Sequence, residues 1–306
     1  MDTTAKKSPR RSRVLPILML MLSLASAARP QTPAAPTTAS VMSAATAADW
    51  RSLDPDNTLY LELAAGRVVI ELAPSFAPSH VANVKALVRE GYFDGLTINR
   101  VQDNYVAQWG DASEGSAQRA IRTAKKSLPA EFDVAIPRDV AFTPAPDGDV
   151  YAAEAGWSQG FPAARDPKSG RAWLTHCYGA LGTARGNGAD SGGGTQLFVV
   201  IGHAPRHLDR NDTVLGRVVK GIELLSTLPR GAGALGFYEK PEQRVKIQRV
   251  RVAADVPAAE RTALQILRTD TATFRSLIDA RRTRTEEWFK FPVGRIEVCN
   301  VPVPVK

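Results

Sequence analysis

Apolar residues in this chain recur at every second position over short runs, and turns rather than long helices separate those runs. Leu59, Leu61 and Leu63 alternate with Tyr60 and Glu62. Val68, Ile70 and Leu72 alternate with Arg67, Val69 and Glu71, and Ala64-Ala65-Gly66 lies between the two runs. Alternation puts one face of each run into a core and the other outside it, so the pair reads as a β-hairpin. Further strand patterns occupy residues 96–101, 105–109, 180–183, 197–201 and 213–219. Near 245–252, Val245 and Ile247 keep one phase while Val250 and Val252 keep the other, a slip that predicts a bulge. Helical spacing is rarer. Pro78-Ser79 opens a stretch in which Val81, Val84, Leu87 and Val88 share a face before Gly91 stops it, and a shorter one over 222–228 is closed by Pro229 and Gly231. Many short strands, two helices and no βαβ rhythm predict a mainly β chain, built as a closed barrel or a sandwich.

The 306 residues allow one or two domains, and 44% hydrophobic with 23% charged residues excludes collagen-like, coiled-coil and wholly disordered classes. The formal charge of +8 invites a nucleic-acid reading until its placement is considered. Lys6, Lys7, Arg10, Arg11 and Arg13 against Asp2 supply half of it. They precede an apolar run over 14–24 and the small-residue pattern Ala25-Ser26-Ala27, so residues 1–27 read as a secretory signal peptide. Eleven residues, interrupted by Pro16 and Ser23, are too few for a permanent span. The remaining charge is spread thinly, as solubility requires, and is no footprint of nucleic acid. The expected location is therefore periplasmic or secreted, with no stable membrane insertion after signal removal. Arg10-Arg11 leaves the twin-arginine and the general export routes both open.

Residues 28–48, rich in Ala, Thr, Pro and Ser, read as a flexible linker. A folded domain is expected over 49–252, interrupted by a long Gly-, Pro- and Ala-rich loop insertion at 112–178. An extension over 253–306 carries two helix signals, one from Ala258 to Leu267 and one through Phe274, Leu277, Ile278 and Arg281. A strand signal at Ile296 and Val298 would let it pack back on the domain. Cys177 and Cys299 fit an oxidising compartment; the spacing leaves a disulfide and two buried thiols equally open.

Three motifs attract attention and fail. Thr175-His176-Cys177 and Asp190-Ser191-Gly192-Gly193 look like serine-protease boxes, but a triad assembled from two barrels needs far more chain between its histidine and serine. His203 and His207 have helical metal-ligand spacing with Pro205 between them, so no metal site is expected. The glycines at 182–194 lack the ending of a phosphate loop. Arginines 275, 281, 282 and 284 read as the solvated face of a helix.

Four blocks in one order carry a stronger signal: Gly91-Tyr92-Phe93-Asp94-Gly95-Leu96-Thr97-Ile98-Asn99-Arg100-Val101, Tyr105-Val106-Ala107-Gln108-Trp109-Gly110-Asp111, Thr195-Gln196-Leu197-Phe198-Val199-Val200-Ile201-Gly202, and His207-Leu208-Asp209 followed by Val214-Leu215-Gly216-Arg217-Val218-Val219-Lys220-Gly221. From about Leu59 to Val252 the chain resembles the cyclophilin-type peptidyl-prolyl cis/trans isomerases. The resemblance implies a closed eight-stranded antiparallel barrel capped by two helices, with the loop insertion and the helical extension added to it. It implies Arg100 and Gln108 as catalytic residues, and Tyr105, Val106, Ala184, Arg185, Gln196, Phe198, His207, Leu208 and Asp212 as substrate-binding residues. No cofactor is implied, and the partners are proline-containing segments of exported proteins. A guanidinium suits the chemistry, because the twisted imide localises a lone pair on the proline nitrogen.

The pattern also departs from the family. His207 stands where the family carries tryptophan, Arg185 where it carries asparagine, and Asp212 where histidine or an aromatic residue is common. Val106 replaces methionine, Trp109 replaces glycine, and Asn99 stands where a histidine often precedes the arginine. These changes alter the rim and back wall of the pocket while sparing Arg100 and Gln108. They motivate the competing reading of a weakly catalytic or non-catalytic chaperone module that grips proline segments.

Overall fold

A computed structural model describes residues 1–4, 35–113 and 117–306. All but the first four residues of the expected signal peptide, and the first part of the expected linker, lie outside the described residues. In chain order the elements up to the insertion are α1 (Thr38–Ala44), β1 (Trp50–Ser52), β2 (Thr58–Leu63), β3 (Gly66–Leu72), α2 (Pro78–Arg89), β4 (Thr97–Val101) and β5 (Val106–Gly110). Within it lie β6 (Val134–Ala135), β7 (Phe142–Pro144), β8 (Glu154–Ser158), β9 (Phe161–Asp166) and β10 (Arg171–Leu174). After it come β11 (Ala180–Thr183), β12 (Gln196–Val200), β13 (Val214–Lys220), α3 (Glu223–Ser226), β14 (Val245–Val252), β15 (Gln265–Leu267) and α4 (Ala272–Thr283).

Eight antiparallel strands close a barrel in the order β11-β12-β5-β4-β14-β2-β3-β13, with β13 pairing back onto β11. The alternating residues named above fill its interior: Leu59, Leu61, Val68, Ile70, Ile98 and Leu181 belong to one buried cluster. Helix α2 closes one opening with Val81, Val84 and Leu87, and α3 adds Leu225 to the same cluster. Burying a side chain of this kind contributes about 1.5–3 kcal/mol, so the interior is the main source of the barrel's stability. Where the expected slip in β14 lies, Ile247 pairs with Leu63 but Arg249 pairs with Glu62, which is a bulge.

The insertion is not a loop. Its strands form a five-stranded sheet in the order β6-β10-β9-β8-β7, laid over the outer wall of the barrel. Alternation again decides the faces. Phe161, Ala163, Ala172 and Leu174 share an apolar cluster with the outward-pointing Val106, Ala180, Phe198, Val200 and Val214 of the barrel. The opposite face offers Ala155, Trp157, Ala164 and Trp173, which pack with Phe274, Leu277 and Ile278 of α4 and with Val298, Val301 and Val303 of the tail. Cys177 and Cys299 are joined in a disulfide across this second interface.

Other expectations change with it. The described part of the linker is structured: Thr37 caps α1 through the Ser40 N–H at 3.1 Å, and Val41 is buried in the cluster formed with α4. Alanine and threonine are compatible with either state, and docking on α4 decides for the helix. The helix expected over 258–267 is instead a short 3₁₀ turn, Ala258–Glu260, followed by β15. Tertiary pairing overrides propensity there, since β15 is held by Trp50–Ser52 on one side and exchanges backbone hydrogen bonds with Lys306 on the other. The strand signal at Ile296 and Val298 resolves as a 3₁₀ turn at Val298–Asn300, and the tail packs back through the disulfide and an Ile266–Val305 bridge. Among the described residues no helix is long and apolar enough to cross a membrane.

Candidate active site

Arg100 owes its direction to a bulge. Ile98 pairs with Trp109 and Arg100 pairs with Gln108, leaving Asn99 as the extra residue. An unbroken ladder starting from inward-pointing Ile98 would aim position 100 into the barrel. The inserted Asn99 turns Arg100 outward instead, and Val101 joins Ile98 in the interior.

Once outside, the guanidinium is held on three sides. Its Nη1 donates to Gln108 Oε1 at 2.9 Å, its Nη2 donates to Gln102 Oε1, and its Nε donates to the Leu235 carbonyl at 2.7 Å. The Tyr105 and Phe237 rings flank it at 5.8 and 5.4 Å. Burial pushes the Arg100 pKa below its ordinary value, while Tyr105 acts in the opposite direction. An arginine carries five N–H donors, so two remain for a substrate after these contacts.

Gln108 continues the string. It is buried, and its amide donates to Gln196 Oε1 at 2.7 Å; Gln196 in turn donates to the Asp111 carbonyl at 3.1 Å. The order Arg100, Gln108, Gln196 follows from adjacent strands β4, β5 and β12, and it leaves one amide hydrogen of Gln108 uncommitted. Beside the string lies an apolar cluster in which Val106 and Phe198 are buried and Tyr105 and Ala184 partly so. The Phe198 ring lies against Gly182, where an added Cβ would sit 2.4 Å from it. It stacks at 6.2 Å on His176, a fully buried side chain. Trp109 points into the barrel core and not into this cluster.

Residues 206–213 carry further expected binding residues. Leu208 is half-buried and His207 exposed, both in a 3₁₀ turn at Arg206–Leu208. Asp212 has its carboxyl pushed up to about 6 by burial, against the opposing pull of His176, the Thr213 N–H and Arg185. Arg185 donates to the Asn211 carbonyl at 2.9 and 2.7 Å and lies 5.3 Å from the Phe132 ring of the insertion. The Ala184 N–H donates to the Gln196 carbonyl at 3.0 Å, which ties that segment to the Arg100–Gln108–Gln196 string.

The structure adds residues that the sequence blocks do not mark. Gln102, the Leu235 carbonyl and Phe237 fix the arginine's orientation. Leu235 adopts a left-handed backbone with φ of 55°, a strained conformation for a non-glycine residue, at the tip of the 231–236 loop that reaches over Arg100. The glycines at 231, 233 and 236 are the trace of that loop in the sequence. The protease-like pair separates: His176 Nδ1 meets Asp209 at 2.9 Å, while the Ser191 hydroxyl donates to the Gly188 carbonyl. Among the described residues no three His, Cys, Asp or Glu side chains converge as metal ligands do.

Comparison with known proteins agrees with this geometry. Residues 58–252 match the family model described as cyclophilin type peptidyl-prolyl cis-trans isomerase/CLD. A probable peptidyl-prolyl cis-trans isomerase of Brucella suis biovar 1 is 28% identical over 202 residues, covering 63% of this chain and 82% of its own. Peptidyl-prolyl cis-trans isomerase B of Bacillus subtilis is 30% identical over 169 residues, covering 54% of this chain and 85% of its own. The crystal structure of cyclophilin AquaCyp293 from Hirschia baltica matches with a TM-score of 0.68 at 27% identity, covering 88% of this chain and 97% of that one. That last match is too long to be the barrel alone, so the similarity extends into the overlying layer. With its closed barrel, its outward arginine and these relatives, the chain belongs to the cyclophilin-type peptidyl-prolyl cis-trans isomerases.

Proposed function

We propose that this isomerase accelerates X-Pro rotation in exported proteins, with Arg100 stabilising the twisted imide. The barrier to be lowered is about 18–20 kcal/mol, and spontaneous exchange takes tens of seconds or longer. Twisting withdraws the nitrogen lone pair from the carbonyl and makes the nitrogen a hydrogen-bond acceptor, so a fixed donor binds the twisted form better than either planar one. The observation that carries this reading is the three-sided hold on Arg100, which leaves two donors free beside the Tyr105, Val106 and Phe198 surface. Pre-orientation matters because no reorganisation is then needed when charge develops. Gln108 would bind the substrate main chain through its remaining amide hydrogen, and the Ala184–Arg185 segment would hold the peptide as an extended strand.

The test is an NMR-exchange or protease-coupled assay on the protein lacking residues 1–27. Arg100→Ala should lower kcat/KM by about 10²–10³. Arg100→Lys should recover little of it, since a point charge does not reproduce the planar fork. A folded Arg100→Ala protein with undiminished turnover would reject the mechanism. A protein that binds proline peptides without speeding their exchange would favour the chaperone-module reading instead.

Export is supported by the basic start, the apolar run and the Ala25-Ser26-Ala27 site, and by the Cys177–Cys299 disulfide, which suits an oxidising compartment. Residues 1–27 fused to a phosphatase that is active only outside the cytoplasm should give active enzyme in a bacterial host. An inactive, fully retained fusion would remove the periplasmic or secreted assignment and with it the exported clients.

A further inference from the structure

Between the outer wall of the barrel, the second sheet and the C-terminal tail lies a cavity of about 320 Å³, with the Cys177–Cys299 disulfide at its edge. Leu174, Ala180, Val214, Ile222, Val301 and Val303 contribute apolar walls, and of all the described side chains that face it only Arg217 is charged. None of the residues assigned to isomerisation lines it. Small-molecule sites are of this kind: about 300–1,000 Å³, mostly apolar, with a few fixed polar groups.

The arginine is short of partners. Pairing of β13 with β3 sets Arg217 opposite Glu71, yet Nε stays 3.6 Å from Oε2, beyond hydrogen-bond length. Arg217 Nε, Arg217 Nη2 and Glu71 Oε2 are all shut off from solvent with no hydrogen-bond partner. The other oxygen of Glu71 is taken by Arg51 at 2.6 Å. Two guanidiniums thus share one carboxylate, and Arg217 and Glu71 are only 12% and 7% exposed in their side chains. Burial pushes the Arg217 pKa below its ordinary value, but a guanidinium remains cationic. Nε and Nη2 are closed to the cavity as well as to solvent, so Arg217 meets it through the rest of its side chain, and a buried cation at the side of an apolar cavity favours an anion that brings an apolar body with it.

We propose that this cavity binds a monocarboxylate bearing a medium-length hydrocarbon chain, its carboxylate on Arg217 and its chain along the Leu174, Val214 and Val301 walls. An arginine matches a carboxylate, and the other polar residues of the wall, Thr175 and Tyr178, are uncharged and give a second charged group no counter-ion. Calorimetric titration of the disulfide-intact protein, lacking residues 1–27, with sodium octanoate tests it, with 1-octanol and octylammonium as comparison probes. Octanoate should saturate one site, octanol should bind at least about tenfold more weakly, and octylammonium should not bind. Arg217→Gln should weaken octanoate by about tenfold or more while leaving octanol unchanged. Glu71→Gln removes the competing carboxylate and should tighten octanoate, which keeps the question open to decision even if Arg217→Gln fails to fold. Equal binding of octanoate and octanol, or octanoate affinity indifferent to Glu71→Gln, would overturn the proposal.

Discussion

The barrel and the layer laid over it are held together by different forces. Inside the barrel, branched and aromatic side chains such as Leu59, Ile70, Ile98 and Trp109 form one apolar cluster. The overlying sheet is built largely from small residues, with Ala155, Ala163, Ala164 and Ala172 set around Trp157 and Trp173. Its seam is charged. Arg206, only 3% exposed, lies 2.9 Å from Asp149 of the insertion, 2.5 Å from Asp209 beside the active site and 3.1 Å from Glu297 of the tail. Burial by itself lowers the Arg206 pKa, but Asp149 and Asp209 outweigh it and hold the group above its ordinary value. Apolar burial is non-directional and tolerates sliding; a buried arginine with three acceptors does not. The difference suggests that the barrel supplies stability while the seam fixes how the layer sits beside the candidate site.

The disulfide gives the largest expected effect on that contrast. Cys177 and Cys299 are 122 residues apart, so their link removes about 4–5 kcal/mol of chain entropy from the unfolded state in the loop-closure model. The Cys177→Ser, Cys299→Ser double variant should lose roughly that amount in urea unfolding. Hydrogen exchange should show protection falling first in β8–β10 and α4, with β2 and β3 still protected. Equal loss in both regions would mean that they unfold as one unit and that the division drawn above is wrong.

Arg206→Met comes next. It leaves Asp149 and Asp209 buried without their cation, a loss of about 3–5 kcal/mol for a broken buried pair. Because Asp209 also receives the His176 N–H at 2.9 Å, the damage should reach the surface beneath Phe198. A rise in KM for a proline peptide should therefore accompany the loss of stability. Stability lost with KM unchanged would confine the seam to a structural role.

The two regions were also unequally legible in the sequence. The β2–β3 hairpin and α2 were plain because their apolar periods are local, and the slip between Ile247 and Val250 announced the β14 bulge. Ile98 and Val101 carry the same signal, three apart and both inward, and reading it would have located the bulge that aims Arg100. Arg100, Gln108 and Gln196 stood out through the blocks around them. The Leu235 carbonyl did not, since a main-chain acceptor 135 residues away leaves no mark on side-chain patterns. The second sheet was hidden because its strands are short and rich in alanine, a residue with little strand preference of its own, even though β8, β9 and β10 pair as local hairpins. β15 misled as well, its pairing with Trp50–Ser52 overruling a helix-compatible composition.

Asp212 tests the boundary between the two regions by its proton. Burial raises its pKa from the ordinary 3.8 to about 6, so the folded protein holds that proton more tightly than the unfolded chain. The ionised form therefore costs stability, with the penalty building between about pH 4 and 6 and complete above that range. Asp212→Asn, which keeps an acceptor for the Thr213 N–H, should stabilise the protein at pH 8 by up to about 3 kcal/mol and have almost no effect near pH 3.5. Unfolding midpoints at the two pH values decide it. A variant equally stabilised at both would show that removing the charge is not what matters.

The smallest expected effect tests whether burial or geometry makes the seam strong. On the barrel's own surface Arg89 donates to Asp255 at 2.9 Å, as good a contact as those of Arg206, but the two side chains are 49% and 41% exposed. Solvent screens such a pair, and ordering two long side chains offsets most of the attraction, so it should contribute at most about 0.5–1 kcal/mol. Asp255→Ala should shift the urea midpoint barely, and the shift should vanish in about 1 M salt, where screening acts over about 3 Å. Arg206→Met, its charges shut away from the ions, should keep its penalty in the same salt. Were Asp255→Ala to cost as much as Arg206→Met, bond geometry alone would set the value of these pairs, and the charged seam would lose its distinction from the surface of the barrel.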